Sequence, residues 1–406
     1  MDVNPQSQTT PGGPLAGVRV IEMGQLIAGP FAGQLLGDLG ADVIKIEDPG
    51  RGDPMRTWGR ELPKGESLWW AVIARNKRSV TVNLRTEEGQ ALVRELAADA
   101  DILIENFRPG TMERWGLGYD TLSEANPGLI MVRVSGYGQD GPYASRPGYA
   151  AIGEAMGGLR YVVGDPSTPP SRTGISLGDS LCAMFGTIGA LSALHERDRT
   201  GRGQVVDAAI YESVLGVMES LVPEWTYSGF QRERTGSILP KIAPSNLYPT
   251  GDDGWILIAA NQDTVFHRLA AAMGRPELAE DPRYATHVAR GERQAELDDL
   301  IADWTRTKPL HELEDVLNEH GVPNGRIYRA RDMVDDPQYR AREALTTVPH
   351  PVLGEVMMQN VFPRLSRTRG GIRWAGPALG QHTEEVLRER GYDEARIAEL
   401  REGGVL

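Results

Sequence analysis

The sequence predicts an α/β fold, with a doubly wound, Rossmann-like large domain and a smaller α+β domain. Short apolar strand candidates alternate with helical patterns over residues 18–134, which indicates βαβ units and a parallel sheet. Glycine is abundant, at 48 residues, as tight strand-to-helix turns require. A chain of 406 residues exceeds what one hydrophobic core normally serves, so two domains are expected.

The elements of the large domain follow from the spacing of apolar residues. They are predicted at 18–22 (strand), 29–39 (helix), 42–47 (strand), 79–84 (strand), 87–98 (helix), 102–105 (strand), 129–134 (strand), 180–197 (helix) and 204–210 (strand). Residues 180–197 are apolar almost all round, which predicts a helix that is buried on every side.

The chain divides into four predicted segments. Residues 1–14 lack the basic and apolar regions of a signal peptide, so we expect a disordered tail. Residues 15–225 form the first part of the large domain. Residues 226–325 hold a polar linker and the small domain, because a long polar connection is usually functional or interdomain. Residues 326–406 carry short strands and a final helix at 383–389.

Charge and cysteine content exclude several classes of protein. The formal net charge of -13 argues against broad nucleic-acid binding, although a local basic cluster could still hold a small polyanion. No apolar run is long enough to cross a membrane. The single cysteine, Cys182, permits no intrachain disulfide, which predicts a reducing, cytoplasmic location. The histidines lack metal-ligand spacing, so no metal site is predicted.

Two glycine-rich segments resemble known motifs only in part. Gly24, Gly29 and Gly33 do not form a G-x-G-x-x-G fingerprint, so a plain βαβ turn is the simpler interpretation. Residues 174–178 form a literal G-x-S-x-G around Ser176, as in an α/β hydrolase. The residues before Ser176 are rich in proline and leave no room for the strand that this motif needs.

Asp179 directly precedes the long apolar helix and has two possible roles. It could cap the helix, accepting a backbone N–H bond worth about 1 kcal/mol. Alternatively, Asp179 is a carboxylate nucleophile beside Gly178, whose missing side chain leaves it accessible. Periodicity does not choose between these roles. Basic residues in loops or at element ends of the first domain are either solvated or anion-binding; they are Lys77, Arg78, Arg108, Arg114 and Arg146.

Taken together, short motifs along nearly the whole chain resemble the class III CoA transferases, the CaiB/BaiF family that includes formyl-CoA transferase. The matching stretches are Ala28–Pro30, Leu39–Glu47, Asn76–Ser79, Glu105–Gly110 followed by Arg114, Ser135–Gly138, Arg146–Gly148, Gly178–Asp179, Gly201–Gln204 followed by Asp207, Val322–Pro323 and Leu379–Glu384. The resemblance implies a CoA transferase whose nucleophile is Asp179.

The resemblance also implies a CoA site, a quaternary structure and a set of cofactors. The residues expected at or near CoA are Asn76, Lys77, Asn106, Phe107, Arg108, Arg114 and Arg146. Two subunits are expected to interlock as a homodimer, with residues 326–406 returning to the large domain. CoA and acyl-CoA serve as substrates, and no permanently bound cofactor is implied.

Departures from the family pattern bear on the substrate. Ile27 replaces the glutamine that formyl-CoA transferase has before Ala-Gly-Pro, which argues against formyl and oxalyl substrates. Tyr149 and Ala150 replace the His-Asp pair of the family's racemases. Other stretches resemble the branch that acts on succinyl-CoA and C4–C5 diacids. The residues expected at the acyl group are Ile27, Ala28, Gly178, Arg160 and Arg172. A Ser176 hydrolase, a racemase and an inactive CoA-binding protein remain the alternatives.

Overall fold

The computed structural model describes residues 12–406, so residues 1–11 of the expected disordered tail lie outside the described part. Within residues 12–406 the strands are β1 (Arg19–Glu22), β2 (Asp42–Glu47), β3 (Lys77–Thr81), β4 (Ile102–Glu105), β5 (Ile130–Ser135), β6 (Val205–Ala209), β7 (Ser245–Pro249), β8 (Trp255–Ala259), β9 (Asn324–Arg326), β10 (Leu345–His350) and β11 (Gly354–Gln359).

The helices in the same range are α1 (Ala28–Asp38), α2 (Leu68–Ile73), α3 (Glu87–Ala97), α4 (Thr111–Arg114), α5 (Tyr119–Ala125), α6 (Ala150–Met156), α7 (Leu159–Val162), α8 (Leu177–Thr200), α9 (Ile210–Leu215), α10 (Leu221–Ser228), α11 (Asp263–Ala272), α12 (His287–Glu292), α13 (Gln294–Thr305), α14 (Leu310–Glu319), α15 (Ala330–Asp335), α16 (Pro337–Ala341), α17 (Thr383–Glu389) and α18 (Glu394–Glu402).

Helix α3 shows how local sequence sets these elements. The hydroxyl oxygen of Thr86 accepts a hydrogen bond from the backbone N–H of Gly89 at 3.0 Å, which caps the first turn. Glu87 in that turn places negative charge at the positive end of the helix dipole. Leu92 and Leu96 lie one turn apart and are both buried, so the helix packs one apolar face against the sheet.

The largest sheet is parallel and, within the described residues, has the strand order β3-β2-β1-β4-β5-β6. Strand order reverses between β1 and β4, as in other doubly wound folds. Ligands of such folds bind in the crevice at the carboxyl ends of the strands where the order reverses. The predicted Rossmann-like arrangement is therefore confirmed, and it directs attention to the loops that follow β1, β4 and β5.

Alternate residues of each strand pack into separate core layers. Val20 belongs to the apolar cluster that contains Ala32 of α1 and Ala190 of α8. The next residue, Ile21, belongs to the cluster that contains Leu92 of α3 and Val386 of α17. Because both faces are covered by helices, the strands read as nearly continuous apolar runs.

Residues 160–172 and 221–339 form a second compact unit, separate from residues 12–159, 173–220 and 340–406. Its sheet is antiparallel, in the order β7-β8-β9, and packs against α11, α13 and α14. Its boundaries at 220/221 and 339/340 differ from the predicted 225/226 and 325/326. The unit also includes residues 160–172, because Gly164 accepts a backbone hydrogen bond from Gly236 at 3.0 Å.

The long helix α8 departs from its prediction. It begins three residues earlier than expected, at Leu177, and it is not buried on every side. Met184, Phe185 and Ile188 form an exposed apolar face, with exposed fractions of 46%, 41% and 56%. The prediction of burial all round is therefore wrong for the single chain, since the apolar pattern does not reveal what covers each face.

By length and composition alone α8 could cross a membrane, so the expectation that no apolar run is long enough does not hold for this helix. Among the described residues, α8 is the one helix that meets this criterion. It packs against α1, β5 and β6, and its other face carries Ala183, Ala190 and Ala193 into the core. These are the contacts of a core helix in an α/β domain.

Candidate active site

The first turn of α8 presents Asp179 at the carboxyl edge of the parallel sheet. The helix connects β5 to the parallel strand β6, so it runs antiparallel to both and begins at their carboxyl edge. Ser176 is the N-cap residue, which makes Asp179 the third residue of the helix and not its cap. The side chain of Asp179 is partly exposed. The partial positive charge of the helix N-terminus favours negative charge at this position.

Glu154 of α6 fixes the backbone directly before Asp179. Its Oε1 accepts a hydrogen bond from the N–H of Gly178 at 3.1 Å, and its side chain is 1% exposed. A Cβ atom on Gly178 would lie 3.0 Å from Glu154 Cγ and 3.2 Å from the carbonyl oxygen of Ala150. Glycine therefore allows α8 to begin tightly against α6, which defines the position of Asp179.

Cys182 lies one turn after Asp179 but does not act as a second nucleophile. Its side chain is fully buried, and its Sγ lies 3.3 Å from the carbonyl oxygen of Ala208. Burial raises the pKa of the Cys182 thiol to about 12. At neutral pH the thiol is protonated and inaccessible, as the sequence interpretation of a buried helix residue predicts.

The loop after β4 meets the loop after β1 at the point where strand order reverses. Asn106 accepts a hydrogen bond from the backbone N–H of Gln25 and donates one to its carbonyl oxygen, both at 2.8 Å. Phe107 packs edge-on against Trp115, with ring centroids 5.0 Å apart. Asn106 therefore links the loop after β4 to the loop after β1, and both its amide oxygen and its amide nitrogen hydrogen-bond to Gln25.

Glu105 at the end of β4 sets the direction of that loop. Its Oε2 accepts from the backbone N–H of Phe107 at 2.7 Å, while its Oε1 pairs with Arg133 at 2.8 Å. Burial raises the pKa of the Glu105 carboxyl, although Arg133 opposes this effect. The side chain of Phe107 is thus held at a fixed place on the sheet edge.

The expected CoA-binding arginines lie in the segments that follow β4 and β5, with Arg114 at the end of α4. Arg108 and Arg114 follow β4 and are exposed, and Arg114 donates from Nη2 to the hydroxyl of Thr111 at 2.9 Å. Arg146 lies in the segment after β5, also exposed, with its guanidinium carbon 3.6 Å from the centre of the Tyr143 ring. Since β4 and β5 are neighbours, the segments that follow them leave the sheet side by side.

The side chains of Asn76 and Lys77 are not available to a ligand in this structure. Asn76 is 1% exposed and donates to Asp38 Oδ1 at 2.7 Å. The Lys77 ammonium is fully buried and lies 2.8 Å from Glu22 Oε2. Burial lowers the pKa of Lys77, and Glu22 opposes that shift. Both side chains serve protein contacts in this structure, and the place of Asn76 and Lys77 at or near CoA remains a prediction.

The residues expected at the acyl group differ in position. Ile27 and Ala28 are 7% and 3% exposed, so any contact with substrate would involve their backbone. Gly178 lies beside Asp179, as described above. Arg160 and Arg172 belong to the second unit, Arg160 partly exposed in α7 and Arg172 exposed in a loop. Their assignment to the acyl group remains a prediction.

Comparison with known proteins identifies the family of this chain. The sequence profile of CoA-transferase family III matches residues 15–383. The chain is 59% identical over 383 residues to succinyl-CoA–D-citramalate CoA-transferase of Chloroflexus aurantiacus, covering 94% of this chain and 95% of that protein. The chain belongs to CoA-transferase family III.

Other comparisons agree with this family III CoA-transferase assignment. The chain is 44% identical over 402 residues to the beta subunit of succinyl-CoA–L-malate CoA-transferase of C. aurantiacus, covering 98% and 99% of the two chains. A crystal structure of a CaiB/BaiF family protein from Brucella suis matches with a TM-score of 0.83 at 36% identity, covering 93% and 99%. The suspected family resemblance is therefore confirmed.

The local structure around Ser176 does not support the hydrolase alternative. A nucleophile elbow requires a strand that ends at the serine, and residues 171–176 form no strand. Gly174 has a φ of 84°, which turns the backbone just before the helix. Ser176 therefore begins α8 from an irregular loop.

The sequence analysis assigned no role to the buried charged residues that hold the loops and the first helix turn of the site in place. Glu154 holds the first turn of α8, and Glu105 directs the loop after β4. Lys45 and Asp53, described below, hold the loop after β1. One signal was present for Lys45 and Glu105, because each is a charged residue in a largely apolar strand that is buried on both faces. A charge in such a strand requires a partner, but the sequence does not reveal which one.

Proposed function

We propose that this enzyme transfers CoA from succinyl-CoA to a C4–C5 dicarboxylic acid through covalent intermediates on Asp179. The observation that carries the proposal is the position of Asp179, in the first turn of α8 at the carboxyl edge of the sheet. Membership of CoA-transferase family III supports the reaction class, and the buried thiol of Cys182 leaves the carboxylate as the nucleophile on this turn.

In the first half-reaction, a carboxylate oxygen of Asp179 attacks the thioester carbonyl carbon of the donor. A mixed anhydride forms, and the carbon–sulfur bond breaks to release the CoA thiolate. The thiolate then attacks the carbonyl carbon of Asp179 within the anhydride. This step forms an aspartyl-CoA thioester and releases the donor acid as its carboxylate, so the energy of the thioester is conserved.

In the second half-reaction, the acceptor carboxylate attacks the aspartyl-CoA carbonyl carbon. A second anhydride forms and CoA thiolate leaves again. The thiolate attacks the acceptor's acyl carbon, which gives the new acyl-CoA and regenerates the Asp179 carboxylate. No net proton, electron or water enters the cycle. Water must be excluded throughout, because it would hydrolyse the anhydrides and the thioester.

The proposed substrates follow from the relatives and from charge. Relatives at 59% and 44% identity carry the names of succinyl-CoA–citramalate and succinyl-CoA–malate transferases, which supports a succinyl donor and a hydroxylated diacid acceptor. The second carboxylate of such acids would be stabilised by a cation, and we assign Arg160 or Arg172 to this role. Citramalate is the first acceptor to test, followed by mesaconate, itaconate, malate and glutarate.

Incubation of the purified protein with succinyl-CoA and each free acid tests this proposal. We expect the new acyl-CoA to appear with citramalate or a related diacid, detected by mass spectrometry, together with free succinate. Release of free CoA should be much slower than exchange. A protein that binds CoA but exchanges no thioester with any acid would instead be a binding protein, and the proposed function would be wrong.

We further propose that the enzyme is an interlocked homodimer. Besides the exposed apolar face of α8, Ile152 and Met156 of α6, which packs against α8, are exposed as well. Exposed apolar patches on soluble proteins usually mark interfaces. A second copy of this chain is the expected partner, and the long segment around residues 226–245 is suited to threading between subunits.

Ile188→Arg is expected to destabilise this dimer, because it places a charge in the middle of the apolar face. Mass photometry at nanomolar concentration should give twice the chain mass of 44.4 kDa for the wild type and a substantial monomer fraction for the variant. Val288→Arg, at a residue that is 68% exposed in the second unit, is the control and should remain dimeric. A wild-type monomer would refute the proposal.

The cytoplasm is the proposed location. The chain has one cysteine, and that cysteine is buried, so nothing in its thiol content calls for an oxidising compartment. CoA thioesters are also intracellular metabolites, which requires the enzyme to meet them inside the cell.

A further inference from the structure

The loop between β1 and α1 is held by buried charged side chains as well as by Asn106. The ammonium of Lys45, on β2, donates to the carbonyl oxygen of Gly24. Asp53, in the segment after β2, accepts from the backbone N–H of Leu26 at 3.1 Å. With the Asn106 contacts, three consecutive loop residues bond to side chains that are distant in sequence.

The backbone of this loop is strained at Leu26. Its φ angle is 65°, in the left-handed region that leucine rarely adopts. Strained residues persist where the surrounding structure over-determines them, and they concentrate at functional sites. The hydrogen bond from the Leu26 amide to Asp53 therefore helps to hold Leu26 in a backbone conformation that leucine by itself disfavours.

Four buried charged side chains form a cluster next to the loop, namely Glu22, Lys45, Asp53 and Lys77. Lys45 Nζ lies 2.9 Å from Glu22 Oε1 and 2.9 Å from Asp53 Oδ2. Lys77 Nζ lies 2.8 Å from Glu22 Oε2 and 2.6 Å from the carbonyl oxygen of Pro30, in the first turn of α1. The four side chains are at most 1% exposed, and two cations balance two carboxylates.

The charges of the cluster are maintained by their neighbours. Burial opposes the charge on Lys45, but Asp53 and Glu22 outweigh it and raise the Lys45 pKa above its ordinary value. Burial likewise opposes the charge on Asp53, and Lys45 outweighs it, so the Asp53 pKa is lowered. Both groups are ionised at neutral pH, which strengthens their bonds to the loop backbone.

Core stability does not account for this arrangement. Buried ion pairs often add little stability compared with well-packed apolar residues of similar volume. These side chains also bond to the backbone. Lys45 bonds to Gly24 and Asp53 to Leu26, both in the loop. Lys77 bonds to Pro30 in the first turn of α1. The cluster thus helps to specify the conformation of the loop before α1, and Asp53 also accepts from the backbone N–H of Met55 at 2.9 Å.

We propose that Lys45 and Asp53 are positioning residues that hold residues 24–27 in the conformation required for CoA transfer. The proposal rests on the proposed function, because α1 and α8 pack together and both begin at the carboxyl edge, where Asp179 lies. A preorganised loop keeps the reacting thioester aligned with Asp179 through both half-reactions. Alignment of this kind acts mainly on turnover and much less on binding of the CoA moiety.

Asp53→Ala tests the proposal, because it removes the acceptor of the Leu26 amide. We expect kcat per folded molecule to fall by about tenfold or more, with the KM for succinyl-CoA changed by less than about threefold. Asp53→Asn keeps an oxygen acceptor and should retain more of the rate. Adding Leu26→Gly to Asp53→Ala should restore part of kcat, because glycine adopts the left-handed conformation without strain.

Asp38→Ala is the matched control. Asp38 is also a buried carboxylate, paired with Arg75 at 2.6 Å, but it lies at the opposite end of α1 from the loop. This variant should lose stability in thermal unfolding while keeping kcat per folded molecule. A merely structural role for Asp53 would make the two variants behave alike, with no rescue by Leu26→Gly.

Hydrogen–deuterium exchange provides a measurement that does not depend on activity. The Leu26 amide should exchange about tenfold faster or more in Asp53→Ala than in the wild type or Asp38→Ala. If the wild type exchanges no thioester, the proposed function fails while this measurement still reports on the loop. Unchanged amide exchange in Asp53→Ala, or a kcat equal to that of the wild type, would overturn the assignment of positioning residues.

Discussion

Replacing Asp179 with alanine is expected to abolish CoA exchange. The proposed reaction forms two anhydrides and one thioester on this carboxylate, and the thiol of Cys182, one turn further along the helix, is buried and protonated. Removal of a covalent nucleophile typically lowers turnover by 10⁴-fold or more, equivalent to about 5 kcal/mol of transition-state stabilisation. Exchange between succinyl-CoA and its acceptor acid, followed by mass spectrometry, is the measurement.

Three further results would separate loss of chemistry from loss of structure. Asp179→Ala should bind CoA with wild-type affinity in calorimetry, since it removes no CoA contact. Hydroxylamine added with succinyl-CoA should convert Asp179 of the wild type to a hydroxamate, located by peptide mapping. Ser176→Ala should retain most of the exchange activity. An inactive Ser176→Ala beside an active Asp179→Ala would refute the transferase mechanism in favour of a serine nucleophile.

The large domain was predictable because its strands are buried on both faces. The run at Ile102–Glu105 was predicted at its observed bounds, since helices on both faces make such runs almost continuously apolar. Short, less apolar elements were harder. The helix Glu394–Glu402 was not predicted, because it buries only Ile397 and Leu400 and is otherwise highly charged.

The long helix shows a different limit of sequence reasoning. Its apolar pattern predicted burial on every side, yet Phe185 and Ile188 are exposed in the single chain. An apolar residue that faces a partner subunit has the same sequence signature as one that faces its own core. Periodicity therefore identifies faces that must be covered, and it cannot state which molecule covers them.

The surroundings of the basic residues near the site could be predicted for some and not for others, because tertiary contacts decide which of them are buried. The family resemblance, through the stretch Asn76–Ser79, placed Lys77 near CoA. Strand pairing with β2 instead directs its ammonium into the interior, where Glu22 and Pro30 accept its hydrogen bonds. These partners are 55 and 47 residues away in sequence. No local pattern reveals such a contact, whereas loop arginines after β4 and β5 follow directly from the strand order.

Combined replacement of Arg114 and Arg146 by alanine is expected to raise the KM for acyl-CoA about 100-fold. Both side chains are exposed in segments that follow neighbouring strands, Arg114 at the end of α4 and Arg146 in a loop. The net charge of -13 gives the phosphates of CoA no general attraction, so local cations must supply it. A partly desolvated arginine–phosphate pair contributes about 1.5–3 kcal/mol, or at least tenfold per arginine, and separate contributions multiply.

The pattern across substrates distinguishes binding of CoA from an effect on chemistry. Donor and product thioesters carry the same CoA group, so both KM values should rise together, while the KM for the free acid and kcat should change little. Arginine-to-lysine variants should restore binding only in part, because lysine lacks the bidentate fork. Arg199→Ala, at the far end of α8 and 69% exposed, is the matched control and should leave every constant unchanged. Wild-type KM values for acyl-CoA in the double variant would show that CoA binds elsewhere on this family III CoA-transferase.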